Sequence, residues 1–251
     1  MEQKDNRVRT ALITGAMTGL GPAYVEYFGK LGYSLILTGK DKKALRIFVE
    51  EIEETYRVPV SGLEVDLSDP GGLSMICRQT DMVSVDVLIN NAADEDWDQY
   101  GRGYYPELKR MLSLQMNSAV SLTLAILRRM INRNEGIIVN VSPDGVARPS
   151  SVSRIRTSSM VFIRQFTEGL NNQLADTGIR IQAVYPGSVA PLIAMFGNRR
   201  GKQMHIKNGQ GGIDPLEIVS EAMKDLEHGK TVFSYASRRG FFTKRSEYFA
   251  G

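Results

Sequence analysis

Cysteine is almost missing from this chain of 251 residues: Cys77 stands alone, so no internal disulfide can form and a reducing compartment fits. Histidine is nearly as scarce, with two residues, which leaves little imidazole for a transition-metal site. Neither sign of charge dominates. Lys and Arg number 31 against 28 Asp and Glu, and the net +3 is too small to argue for nucleic acid or an anionic membrane. A DNA-binding motif and a basic stripe are also lacking, which argues against a nucleotide-sensing regulator of transcription. Long apolar runs are absent too. The longest, around residues 120–127, is interrupted by Ser121 and Thr123 and is too short to span a bilayer. Met1-Glu2-Gln3-Lys4-Asp5-Asn6-Arg7 is polar and mixed in charge with no signal-peptide core behind it, so the expected location is cytoplasmic. No repeat, low-complexity tract or linker divides the chain, and residues 1–251 read as a single domain of ordinary globular composition.

What is present is organised around Thr14-Gly15-Ala16-Met17-Thr18-Gly19-Leu20-Gly21. An apolar run, Ala11-Leu12-Ile13, precedes it, and an amphipathic segment with Tyr24, Val25, Tyr27, Phe28 and Leu31 follows. That context predicts strand, glycine turn and helix. Glycine allows positive φ and close backbone approach to a ligand, and the helix N-terminus offers unpaired N–H groups to a pyrophosphate. Taken alone, a glycine-spaced turn is weak evidence, because many loops contain three glycines.

The N-terminal half goes on alternating. Residues 34–38, 58–65 and 86–90 read as buried strands, with helices over 41–56 and 71–79 between them. Such a βαβαβ succession with short connections calls for a parallel sheet covered by helices on both faces. The strand ends carry further signals. At the end of the second strand, where an acid would favour NAD, stand Gly39 and Lys40. No carboxylate repels a 2′-phosphate there and Lys40 can pair with one, which favours NADP(H); the alternative is a solvated lysine in a turn. Asp66, with Leu67 beside it, ends the third strand. Its carboxylate can accept from an adenine amino group and can also serve as a helix cap before Ser68-Asp69-Pro70, and the two roles are compatible.

Thr14-Gly15-x-x-x-Gly19-x-Gly21, then Asp66, then Asn90-Asn91-Ala92 after a fourth strand, resemble the short-chain dehydrogenase/reductase family in order and spacing. Pro186-Gly187 after the strand Ile179–Tyr185 is similar to the family's turn beside the nicotinamide, and the likeness runs over about residues 9–235. The resemblance implies a Rossmann-type α/β fold, doubly wound around a mainly parallel seven-stranded sheet. It implies cofactor contacts from Thr14, Gly15, Met17, Thr18, Gly19, Leu20, Gly21, Gly39, Lys40, Asp66, Leu67, Asn91, Ala92, Ala93, Pro186, Gly187 and Val189. Ala93 departs from the family's Asn-Asn-Ala-Gly. Asn117 falls where the family keeps an asparagine that bends a helix and holds a relay water. Helices over 108–133 and 151–177 match those that build the family's four-helix interfaces, so an oligomer is expected.

The second half departs from that family at its chemistry. An active member uses a tyrosine as proton donor, a lysine one helical turn on to lower its pKa from about 10, and a serine to orient the carbonyl. Counting back from Gly178 and Pro186-Gly187, those positions hold Arg156, Met160 and Pro143. Ser142 lies one residue early. No tyrosine or lysine occurs anywhere between Lys109 and Tyr185, whatever the alignment. Arginine does not release its proton near neutrality, methionine carries no charge, and proline has neither hydroxyl nor N–H. Pro191 replaces the threonine that holds the carboxamide in the family, so the nicotinamide half should bind more weakly than the adenosine half.

Residues 196–212 are basic and glycine-punctuated, with Arg199, Arg200, Lys202, His205 and Lys207. They sit where the family has a mobile lid and read either as a site for an anionic substrate or as a solvated loop. The acids Asp94-Glu95-Asp96-Trp97-Asp98 read as a solvated rim rather than a metal site, and Tyr100, Tyr104 and Tyr105 lie near enough in sequence to enter the cleft. A helix over 215–228, a strand over 231–235 and an aromatic, basic tail over 236–251 complete the chain. Two functions are compatible with these residues. One is an enzyme of altered chemistry (cyclisation, dehydration or isomerisation) in which Arg156 stabilises an oxyanion while Asn117, Ser142 or Asp144 relays protons. The other is a non-catalytic subunit that pairs with an active relative.

Overall fold

Seven strands form one sheet: β1 (Thr10–Ile13), β2 (Ser34–Gly39), β3 (Val60–Glu64), β4 (Val87–Asn90), β5 (Gly136–Val141), β6 (Ile179–Tyr185) and β7 (Val232–Ser234). The structure, a computed structural model, describes residues 7–93, 105–142, 151–186 and 213–235, with backbone alone at 105 and 151–157. Strand order is β3-β2-β1-β4-β5-β6-β7, and every neighbouring pair runs parallel. The central strands are short and apolar because helices cover both faces.

Those helices are α1 (Gly21–Lys30), α2 (Lys42–Tyr56), α3 (Pro70–Thr80), α4 (Tyr105–Leu112), α5 (Ser118–Arg133), α6 (Ser151–Gln173) and α7 (Pro215–Glu227). Side chains alternate across each strand, so successive residues feed two separate cores. On β1, Ala11 and Ile13 pack with Tyr24 and Phe28 of α1, Phe48 of α2 and Ile218 of α7. Leu12 points the other way, into Ile76 of α3 and Leu122, Ile126 and Met130 of α5. Val87 and Ile89 of β4 repeat the first pattern and Leu88 the second.

The continuous helix predicted over 108–133 is divided. A π-helical turn, Ser113–Asn117, separates α4 from α5, and the Ser118 N–H donates five residues back to the Ser113 carbonyl. The Ser118 hydroxyl donates to the Leu114 carbonyl, a back-bond that competes with the regular ladder at the same point. The order of the sheet reverses between β1 and β4. A crevice opens beyond their C-terminal ends, and that is where an open α/β sheet binds ligands.

Candidate functional site

The glycine turn lies at that crevice and is anchored from both flanking strands. From β2, Thr38 lends its hydroxyl to the Gly15 N–H at 3.3 Å and its carbonyl to the Ala16 N–H at 3.1 Å. On the β4 side, the Asn91 amide donates to the carbonyls of Thr14 (3.2 Å), Gly15 (2.9 Å) and Thr18 (3.1 Å). The Thr14 hydroxyl accepts in return from the N–H groups of Asn91 and Ala92, at 2.9 and 3.1 Å. Asn91 therefore holds the turn itself. Ala93 follows, half-buried.

Each glycine has a distinct steric reason. Gly15 and Gly19 adopt φ of +58° and +55°. A Cβ on Gly15 would lie 2.8 Å from the Ala92 Cα, and one on Gly21 2.3 Å from the Gly15 carbonyl oxygen. A Cβ on Gly19 would meet only Asn91 Oδ1, at 3.5 Å, because Thr18 and Gly19 form the exposed crest of the turn. Leu20 is buried beneath that crest. The helix ends tell the same story. Asp41, Asp69 and Asp214 cap α2, α3 and α7 through their side chains, whereas α1 begins at Leu20 with no side-chain cap. An uncapped helix start beside two glycines in the left-handed region fits a pyrophosphate.

Past β2, Gly39 is half-buried, and a Cβ there would lie 2.6 Å from the Met17 methyl, so Met17 closes over it. Lys40 is paired with Asp66, Nζ to Oδ1 at 3.5 Å. Asp66 does not cap α3, because Asp69 does so by accepting from the Gly72 N–H at 3.0 Å. Its Oδ1 instead accepts from the Ser68 N–H (2.8 Å) and hydroxyl (2.5 Å), while Arg110 Nη2 of α4 lies 3.6 Å from Oδ2. Burial alone would raise the Asp66 pKa; the Ser68 hydrogen bonds and the charges of Lys40 and Arg110 outweigh it and hold the carboxyl below its ordinary value. Leu67 beside it is buried. Arg110 gave no signal in the sequence, since it stands 42 residues from Ser68, whose hydroxyl it also reaches at 3.3 Å.

Deeper in the crevice is a cavity of about 10 Å³, room for one water, lined by Thr14, Asn90, Gln115, Ser118 and Asn140 among others. Asn90 donates to Asn140 Oδ1 (2.8 Å) and to the Thr123 hydroxyl (3.1 Å), and Asn140 donates to the Thr167 hydroxyl (2.9 Å). This buried polar chain ties β4, β5, α5 and α6 together. The Asn90 Oδ1 is buried with no partner among the described residues, an acceptor ready for a water.

Asn117 is exposed and lies outside the cavity lining; Gln115, 8% exposed, lies in it. Gln115, Ser118 and Leu122 lie on the buried stripe, and Asn117, two residues on from Gln115, faces the opposite side. Ser142 is buried at the end of β5, its N–H bonded to the Val184 carbonyl at 2.9 Å. Met160 is 5% exposed, and its backbone carbonyl accepts from the Tyr185 hydroxyl at 3.1 Å. Pro186 is buried after β6. The Arg156 backbone belongs to α6. Its side chain, that of Tyr105, and Pro143, Asp144, Gly187, Val189, Pro191, the acids at 94–98, Tyr100, Tyr104, the segment 196–212 and the tail 236–251 lie outside the described residues. Among the described residues no group of His, Cys, Asp and Glu is placed to hold a metal, and no helix is long and apolar enough to cross a membrane.

A parallel seven-stranded sheet with a glycine cradle at its switch point defines a dinucleotide-binding fold. The sequence profile of short chain dehydrogenases matches residues 9–202, and the chain belongs to that family. It is 28% identical over 192 residues to very-long-chain 3-oxoacyl-CoA reductase-A of Danio rerio, covering 72% of this chain and 58% of the relative's length. To 17-beta-hydroxysteroid dehydrogenase type 3 of Mus musculus it is 26% identical over 251 residues, 95% of this chain and 82% of the relative. A short-chain dehydrogenase from Sphingobium yanoikuyae, solved in complex with NADPH, shares the fold with a TM-score of 0.77 at 24% identity, over 93% of this chain and 92% of that one.

Proposed function

We propose that this chain binds NADP(H) and acts on a carbonyl-bearing small molecule by cyclisation, dehydration or isomerisation rather than by Tyr–Lys ketoreduction. One asymmetry carries the reading. The glycine cradle with its Thr38 and Asn91 anchors and the uncapped α1 is intact, whereas a buried, uncharged Met160 stands where the family has its lysine. When bound, NADP(H) supplies a hydride donor or acceptor. Gly19 at the exposed crest lets the backbone approach the pyrophosphate, Gly15 and Gly21 keep the turn tight beneath it, Lys40 meets a 2′-phosphate, and Asp66 accepts from the adenine amino group. The NADPH of the Sphingobium relative supports the choice of dinucleotide.

Proton handling must then come from groups other than a Tyr–Lys pair, because Pro143, Arg156 and Met160 release no proton near neutrality. Ser142, buried after β5, and the polar lining of the cavity, Gln115 and Ser118, supply hydroxyl and amide groups for that task in this reading. Arg156 stabilises developing negative charge on an oxygen in this reading, and the basic segment 196–212 favours an anionic substrate.

The second reading, a non-catalytic subunit that pairs with and stabilises or regulates an active relative, has its own support. Leu124 and Ile131 of α5 and Val161 and Phe162 of α6 are exposed, and Phe162 stacks on Phe166 at 6.1 Å, so both helices present apolar side chains outward. Calorimetric titration with NADPH and then NADH tests the main reading. Micromolar binding with a preference for NADPH supports it; no binding of either at millimolar concentration overturns it in favour of a structural glycine turn and a partner subunit.

A further inference from the structure

Two side chains distant in sequence, Lys40 after β2 and Arg110 from α4, meet at the Asp66 carboxylate, which Ser68, two residues on, also holds. The two cations approach different oxygens, Lys40 Oδ1 at 3.5 Å and Arg110 Oδ2 at 3.6 Å, and all three charged side chains are between 39% and 45% exposed. Ser68 adds two hydrogen bonds to Oδ1. The cluster therefore holds two positive charges against one negative, at the rim where the adenosine end of a dinucleotide would lie.

A phosphate arriving beside Gly39 and Lys40 must draw Lys40 off Asp66. If Lys40 were the carboxylate's sole cation, its departure would leave Asp66 supported by Ser68 alone, and the ion pair would compete with the incoming anion. Arg110 changes that balance. It stays on Oδ2 while Lys40 turns away, so the carboxylate keeps a cation throughout the exchange.

We infer that Arg110 is a positioning residue that frees Lys40 for the 2′-phosphate and so sets the preference for NADPH over NADH. This rests on the NADP(H) reading given above, and a single set of titrations separates the two. Arg110→Gln lowers the ratio of NADPH to NADH affinity about two- to fivefold, the range of a solvent-exposed ion pair, with NADH affinity little changed. Arg110→Lys keeps the ratio. Lys40→Ala abolishes the preference, and adding Arg110→Gln to it lowers the ratio no further. Asp66→Asn combined with Arg110→Gln restores the ratio, because Lys40 then has no carboxylate to leave.

An unchanged ratio in Arg110→Gln overturns the inference and leaves the cofactor reading standing. A loss that persists in the Asp66→Asn, Arg110→Gln double variant also overturns it, since the guanidinium would then be touching the phosphate itself. If the wild-type chain binds neither nucleotide, the cofactor reading fails and this inference with it. Thermal melting of each variant checks that the fold is retained.

Discussion

The Ser159 hydroxyl donates to Gln115 Oε1 at 2.8 Å, and the bond joins the π-helical turn to α6 one residue before Met160. Both side chains are buried, at 2% and 8% exposure, so the bond offsets part of the cost of burying each polar group. Gln115→Ala should lower unfolding stability by about 1–3 kcal/mol, and a double-mutant cycle with Ser159→Ala should give a coupling near 1 kcal/mol in denaturant unfolding. Zero coupling would show that this bond contributes nothing net to holding the π-helical turn against α6.

The three glycines of the turn should not be equivalent. Gly15→Ala and Gly21→Ala place a methyl against backbone atoms at 2.8 and 2.3 Å, which the turn cannot relieve without moving. Gly19→Ala meets Asn91 Oδ1 only at an ordinary contact distance of 3.5 Å and carries mainly the left-handed penalty, about 1–2 kcal/mol. Melting temperatures should therefore fall least for Gly19→Ala. A reversed order would mean that the turn relaxes more easily than its packing implies.

Asn91→Asp keeps the shape of the side chain and removes its donor. A carboxylate would then face the carbonyl oxygens of Thr14, Gly15 and Thr18, at a cost of about 3 kcal/mol. Nucleotide affinity should fall with stability, since the turn loses its anchor on the β4 side. Calorimetry and melting on the same variant check both effects together.

Putting back the missing ionisable pair should not restore ketoreduction. Met160 is 5% exposed, so Met160→Lys buries an ammonium and should lower stability by about 2–4 kcal/mol at pH 7. The loss should shrink above pH 10, where the amine is neutral in the unfolded chain as well. Arg156→Tyr combined with Met160→Lys is expected to show little NADPH-dependent reduction of a generic ketone, because Pro143 and Pro191 remain. Robust turnover by that variant would refute the expectation.

Asp66 should make stability sensitive to acid. Its folded pKa is depressed, so between the folded and unfolded values the unfolded chain binds more protons and stability rises with pH. The contribution is fully present above the ordinary carboxylate range and is lost as pH falls through the folded value. Asp66→Asn should flatten the acid limb of a melting-temperature profile between pH 6 and about pH 3. Parallel profiles for wild type and variant would contradict the assigned cause.

Local pattern alone determined much of this protein. The strand Ile179–Tyr185 and the segments around β1, β2 and β4 were legible because parallel strands buried on both faces must be short and apolar. The glycine turn was legible because the left-handed backbone at Gly15 and Gly19 strongly favours glycine. The missing tyrosine and lysine needed no alignment, since neither residue type occurs between Lys109 and Tyr185. Tertiary structure alone decided the rest. Asn117 and Gln115 are two residues apart in sequence within the π-helical turn, yet Asn117 is exposed while Gln115 is buried in the cavity lining and bonded to Ser159 of α6. Asp69 rather than Asp66 caps α3, and the freed carboxylate is shared by Lys40 and Arg110. Periodicity reports neighbours within one turn or one strand, whereas these contacts depend on which strands pair and on where a helix crosses them.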